Sequence, residues 1–333
     1  MRLENILALT NGELVNEPFV KIFENIVFEA KHVKRGDLFI AFDETMIEDA
    51  IFNGAYGIIF NKPTQIADTE IAWIKVEDCE DALKRLLRFR LIDKDITVYE
   101  CNEIVLKLSL QVITDPNFIS VNGDIKEIHN QLWDLEDKST LLFCPDLCDR
   151  DIFTDVKKIS SSLAEPITIM EQTLFETSFI YDNIFYERQL ISPFFIPYLE
   201  ELLHLYKALN VNFRLKKFSQ IEHFEAVFVS KKLEIKEFGV SDKVLIFEPN
   251  ASLIDHEIRF LEENASWANL IYILPISHTD KYDDHKNAYG YKNQKEIVEI
   301  LKDKNFHFAL VIGVDKSILS KPITNQAQLT LDF

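Results

Sequence analysis

The chain has 333 residues, with 36 Lys+Arg against 55 Asp+Glu, a net charge of −19 and a pI near 4.9. An acid excess of this size, with no local Lys/Arg block, repels phosphate and excludes nucleic acid or an anionic membrane surface as a main partner. Eight glycines, about 2.4% against a usual value of about 7%, leave few places where a backbone can wrap closely around a phosphate.

At 47% hydrophobic and 27% charged the chain can bury large cores, and its length predicts two or three domains. Four cysteines (Cys79, Cys101, Cys144, Cys148) are too few for a disulfide scaffold. Cys144 and Cys148 form a lone C-x3-C, and a closed tetrahedral metal site needs four ligands. The opening residues carry no secretory leader and no apolar run reaches membrane-span length, so a cytoplasmic location is expected.

The first 90 residues read as an α/β unit. Strands are expected at 38–42, 57–60 and 72–76, punctuated by turn-prone Lys34-Arg35-Gly36-Asp37 and Asn53-Gly54. Asp78 is positioned as the N-cap of a helix whose Ala82, Leu83, Leu86 and Leu87 share one face. Residues 95–150 repeat the rhythm: a strand at 96–99, a helix capped by Asn102, a strand at 118–121, a helix through Ile128 and Leu132, and a strand at 140–143. The stretch 151–190 is less periodic and reads as loops and short strands. A helix from Pro193 to Val211 follows, with apolar residues at three- and four-residue steps. In the final third, continuous apolar strands at 244–247, 270–274 and 308–312 alternate with helices near 252–264 and 294–304. This pattern predicts a Rossmann-like parallel sheet covered on both faces. The segments expected are 1–90, 91–215 and 216–333.

Catalytic signatures are scarce. The P-loop G-x-x-x-x-G-K-[ST], the dinucleotide G-x-G-x-x-G, the nucleophile elbow G-x-S-x-G and the zinc H-E-x-x-H are all missing from the sequence. Gly54-Ala55-Tyr56-Gly57 reads as a tight helix-to-strand turn. The run His278-Thr279-Asp280-Lys281-Tyr282-Asp283-Asp284-His285 directly follows a strand, at the end where open α/β sheets bind ligands. It is expected to be a solvated acidic loop, and Asp280 and His285 are its candidate ligands for a divalent cation. His32, His129, His204, His223, His256 and His307 are isolated and read as packing or surface residues.

Residues 5–90 resemble the N-terminal, UDP-binding domain of the Mur ligases, in particular the branch that adds D-alanyl-D-alanine. The resemblance rests on Phe28-Glu29-Ala30-Lys31-His32-Val33-Lys34-Arg35-Gly36-Asp37-Leu38-Phe39-Ile40-Ala41-Phe42, on Gly54-Ala55-Tyr56-Gly57, and on Val76-Glu77-Asp78 leading into Ala82-Leu83. Glu29-Ala30-Lys31 stands where the family has Asp-Ser-Arg. Where the family's ATP loop ends in Gly-Lys-Thr-Thr, this chain has Glu100-Cys101-Asn102-Glu103. Cys144-Pro145-Asp146 replaces the segment with the metal-binding Glu. More faintly, Ile246-Phe247-Glu248-Pro249-Asn250-Ala251-Ser252 is similar to a motif of the third domain, and His285 to a family His.

The resemblance implies an α/β, three-domain layout with a shortened central ATPase-like domain and a Rossmann-like C-terminal domain. It implies Lys31, Lys34, Arg35 and Asn250 as ligand-binding residues, with no catalytic residue and no cofactor. The expected role is non-catalytic binding or scaffolding in peptidoglycan-precursor synthesis, with a nucleotide-sugar peptide or an active Mur ligase as partner. The alternative is an active ligase whose site for ATP and Mg is rebuilt. A further reading takes Gln328-Leu329-Thr330-Leu331-Asp332-Phe333, which resembles the peptide that docks on bacterial sliding clamps, as a docking segment.

Overall fold

The computed structural model describes residues 1–160, 167–215, 218–237, 239–282 and 286–319; His285 and Gln328–Phe333 lie outside them. Contacts divide the chain into two units: Met1–Ser161 with Asn210–Phe213, and Ser162–Leu209 with Arg214–Phe333.

The first unit carries two sheets. It opens with α1 (Leu3–Thr10), β1 (Glu13–Leu14), β2 (Ile26–Val27), β3 (Leu38–Ile40), α2 (Ile47–Phe52), β4 (Gly57–Phe60), β5 (Ala72–Lys75) and α3 (Cys79–Ile92). These strands form a sheet of order β1-β5-β4-β3-β2, parallel except for β1. Alternation along each strand assigns the faces. Leu38, Ile40, Ile59 and Ile74 join α1 and α3 on one side, while Phe39, Ile58, Phe60 and Trp73 join Ile47 and Ala50 of α2 on the other. Both faces are buried, which is why the strands read as unbroken apolar runs. The β1 and β2 pairings are two residues long, too short to leave a period in the sequence.

The second sheet of this unit uses β6 (Thr97–Glu100), β7 (Phe118–Val121), β8 (Thr140–Phe143) and β9 (Val156–Lys158), all parallel, in the order β7-β8-β6-β9. Helices α4 (Glu103–Val112) and α5 (Ile125–Leu132) connect them. Asp124 and Glu127 form a reciprocal capping box at the start of α5. Helix α3 belongs to both sheets: Ala82, Leu83 and Leu86 pack into the core of the first, Leu87 and Leu91 into that of the second.

In the second unit β10 (Thr168–Gln172), β11 (Thr177–Tyr181) and β12 (Ile184–Gln189) form an antiparallel meander, followed by α6 (Ile196–Leu209). The main sheet has the order β13-β14-β17-β15-β16, built from β13 (Glu225–Val229), β14 (Lys243–Glu248), β15 (Leu270–Pro275), β16 (Ala288–Tyr291) and β17 (Phe308–Ile312). Helices α7 (Ile254–Asn264), α8 (Ile276–Thr279) and α9 (Gln294–Asp303) link the strands. The apolar strands expected at 244–247, 270–274 and 308–312 are adjacent and parallel as anticipated. The sheet also gains β16 and an antiparallel edge strand, β13. Ile297 and Leu301 of α9 pack against Leu245, Phe247, Ile273 and Val311. The Lys243 ammonium closes the C-terminus of α9, donating to the Lys304 carbonyl at 3.0 Å and lying 4.1 Å from the Phe306 ring centroid. Among the described residues no helix is long and apolar enough to cross a membrane.

Because α3 fills two cores, Leu87→Ala should lower unfolding free energy by about 3 kcal/mol, in the range for a buried Leu→Ala change. Urea titrations reading Trp73, in the first sheet, and Trp133, packed against both cores, should report one shared transition shifted to lower urea.

Candidate functional site

The C-terminal ends of the parallel strands are the places to look for ligand contacts in open α/β sheets. At that end of the first sheet, Phe28 follows β2 and Phe42 follows β3, with ring centroids 6.1 Å apart. Helix α5 closes over them. His129 meets Phe28 edge-on at 5.4 Å and stacks on Trp133 at 4.7 Å, and the Lys126 ammonium sits 4.0 Å from the Phe42 centroid. His129 is 3% exposed, and burial, the leading cause, pushes its pKa down to about 4.

Lys31 stands at this end, paired with Glu29 at 2.9 Å. The Glu29 carboxyl is held below its usual range mainly by Lys31, with smaller contributions from His32 and Lys126. Lys34 and Arg35 are elsewhere. They form the turn that enters β3, where the buried Asp37 carboxylate accepts from the Lys34 amide at 2.8 Å and from Asn25 Nδ2 at 3.1 Å. Arg35 Nε donates to the Tyr56 hydroxyl at 2.9 Å. A Cβ on Gly54, whose φ is +102°, would come 3.1 Å from the Arg35 Cα, so this close approach of two turns requires glycine. The structure therefore separates Lys31 from Lys34 and Arg35, which sit at the opposite ends of the strands.

The second sheet of this unit presents the β6–α4 junction. Only Cys101 and Asn102 lie between strand and helix. The Cys101 amide donates to the Phe143 carbonyl at 2.9 Å, and the Asn102 side chain caps α4 by accepting from the Val105 amide at 2.9 Å. Glu103 pairs with Lys107 at 2.8 Å, and Glu100 faces Arg150 at 3.6 Å and Lys158 at 3.8 Å.

In the second unit, the C-terminal end of β14 is organised by Glu248, which is fully buried. Its carboxylate accepts from the Phe224 amide at 3.1 Å and the Asn250 amide at 2.7 Å, and it lies 2.8 Å from His223 Nδ1. Glu257, on α7, is equally buried. Burial first and Glu248 second raise its pKa well above its ordinary value, which favours its neutral form. The Asn250 side chain is turned to its own segment, accepting from the Ser252 amide at 3.0 Å and hydroxyl at 2.8 Å. Asp280 opens the short turn Asp280–Tyr282, which is anchored by Lys281 and Tyr282, both donating to Asp255 on the first turn of α7. Those two contacts hold Asp255 below its ordinary range. Asn250 and the 278–282 segment thus share the C-terminal end of this sheet. Among the described residues no group of three or more His, Cys, Asp or Glu is arranged to hold a metal ion.

The sequence reading missed the Phe28, Phe42, Lys126 and His129 cluster, which joins positions about 100 apart with no shared motif. It also missed the His223, Glu248 and Glu257 triad, where the acid on α7 looks like an ordinary solvated helix residue. Its one available signal was Glu248 at the end of an otherwise wholly apolar strand.

No protein-family model matches the chain and no curated protein is similar to it in sequence. In three dimensions it is similar to MurF from Acinetobacter baumannii, with TM-score 0.50 and 11% identity over 93% of this chain and 95% of that one. The MurF ligase from Thermotoga maritima in complex with ADP matches with TM-score 0.48 and 12% identity over 89% of this chain and 95% of that one. The first match supports a Mur-ligase fold, in agreement with the α/β class expected from the sequence.

Two titrations follow from the buried groups. Folding holds His129 neutral, with a pKa near 4 against 6.5 for the free side chain, so its contribution is complete above pH 6.5 and is lost as pH falls toward 4. The loss should reach about 3 kcal/mol, and His129→Phe should flatten that part of the stability profile in urea titrations run between pH 4 and 7. For Glu257 the raised pKa means that folding requires proton uptake above pH 4.5. The stability of Glu257→Gln relative to the parent should therefore improve as pH rises above 4.5, read as a growing difference in Tm.

Proposed function

We propose that this chain is a binding or scaffolding protein of peptidoglycan-precursor synthesis, built on a Mur-ligase fold and without ATP-driven amide formation. The observation that carries the reading is the β6–α4 junction. Activating a carboxylate as an acyl phosphate needs a triphosphate, a divalent cation and cations aimed at the transferred group. At this junction the link is two residues long, the Cys101 amide is committed to Phe143, and the Asn102 side chain occupies the helix N-terminus. Glu100 and Glu103 add negative charge, and the nearby Lys107, Arg150 and Lys158 face those carboxylates. These residues do not fit ATP and Mg, and no chemical step is assigned to them.

The ligand proposed is a nucleotide-sugar peptide, received where Phe28 and Phe42 offer ring surfaces and Lys31 and Lys126 offer positive charge. Lys34 and Arg35 contribute to the turn that shapes this domain rather than to the same contact.

Thermal shift with UDP-MurNAc-tripeptide and with ATP·Mg, run separately, tests the reading. A saturable rise in Tm with the first alone is expected, reduced by Lys126→Ala. Phosphate release from ATP that depends on both UDP-MurNAc-tripeptide and D-alanyl-D-alanine would instead establish an active ligase with a rebuilt nucleotide site.

A further inference from the structure

The second unit contains a hollow of about 520 Å³ at the N-terminal ends of its parallel strands, the end opposite Glu248. Four rings form its walls. Phe175 and Phe228 are 5.9 Å apart and nearly perpendicular, Phe175 and Phe308 are 6.3 Å apart, and Trp267 meets Phe308 edge-on at 5.9 Å. Gln172 and Asn264 stand on the rim, their amides joined by a long 3.4 Å contact.

Three features make this more than a packing defect. The volume lies within the range of about 300 to 1,000 Å³ typical of small-molecule sites, which are mainly apolar with a few polar groups. Trp267 is 73% exposed, so a large indole surface that burial would stabilise is left in water. Among the described residues none of the side chains lining the hollow is ionisable, in a chain of net charge −19, so a buried ligand charge finds no partner among them.

We propose that this hollow is a binding site for an uncharged aromatic small molecule, held edge-to-face by Phe175, Phe228, Phe308 and Trp267, with a polar substituent at the Gln172 and Asn264 rim. The site is independent of the function proposed above.

The chain has three tryptophans, Trp73, Trp133 and Trp267, so indole N–H resonances in a ¹H–¹⁵N spectrum can report the site, with Trp267→Phe identifying its signal. The full-length protein would be titrated at pH 7 with 1-naphthol, a neutral ring, and with 1-naphthoate, the same ring carrying a charge. The expected result is a saturable shift confined to Trp267 with 1-naphthol and binding at least about tenfold weaker with 1-naphthoate. Asn264→Trp, an exposed position at the mouth, should abolish the response without lowering Tm, and Trp267→Ala should abolish the 1-naphthol line broadening. A Trp267 signal unmoved by 1-naphthol, equal responses to the two probes, or undiminished binding by Asn264→Trp would each overturn the proposal.

Discussion

Helix α3 is the constraint on which the first unit depends. An ordinary surface helix buries one stripe and solvates the rest. This one turns Ala82, Leu83 and Leu86 into one sheet and Leu87 and Leu91 into the next, leaving a mainly charged arc. That arc is itself used: Lys84 pairs with Asp149 at 2.7 Å, and Arg88 donates to the Asp151 carbonyl at 2.8 Å. Ile125 and Trp133 touch both cores, so α5 inherits its position from α3, and with it the placement of Lys126 and His129 above the first sheet.

The charge pattern at the strand ends tells a consistent story. Lys31 faces Glu29, Lys62 faces Glu44, Lys107 faces Glu103, and Lys281 faces Asp255. The exposed ones among these, Lys31–Glu29 and Lys281–Asp255, add little stability, a median of about 0 to 1 kcal/mol. Their effect on binding is larger in kind, because a cation already opposed by a carboxylate presents a weaker field to an incoming phosphate. In an acidic chain this pairing weakens the pull on the higher charge of a triphosphate.

Much of this was legible in the sequence because local signals and tertiary structure agree. Asp78 caps α3 through the Asp81 amide and Asn102 caps α4 through the Val105 amide, as their positions before apolar periods implied. The buried strands β3, β4, β14 and β17 were visible as apolar runs for the same reason that they are central. What escaped detection was set by pairing rather than composition. Strand β13, with Glu225 and Phe228 in it, is a strand because β14 lies beside it, and the short strands expected within 151–190 pair as the meander β10–β12, whose largely exposed outer strands leave no apolar run to mark the pairing. For the candidate site residues, the sequence placed Lys31, Lys34 and Arg35 within five positions, and the chain reversal after His32 then carried them to different ends of the strands.

The meander turns at Asp182 and Asn183, both with positive φ, between the paired Tyr181 and Ile184. Positive φ at both central residues matches the right-handed twist of the flanking strands, the condition for the tightest hairpin. Its partners are close in sequence, whereas β14 must find β17 some 60 residues later. Loop-closure entropy therefore makes the hairpin the less costly contact, on a scale of about 1 to 10 μs, and the pairing of β14 with β17 the more costly one.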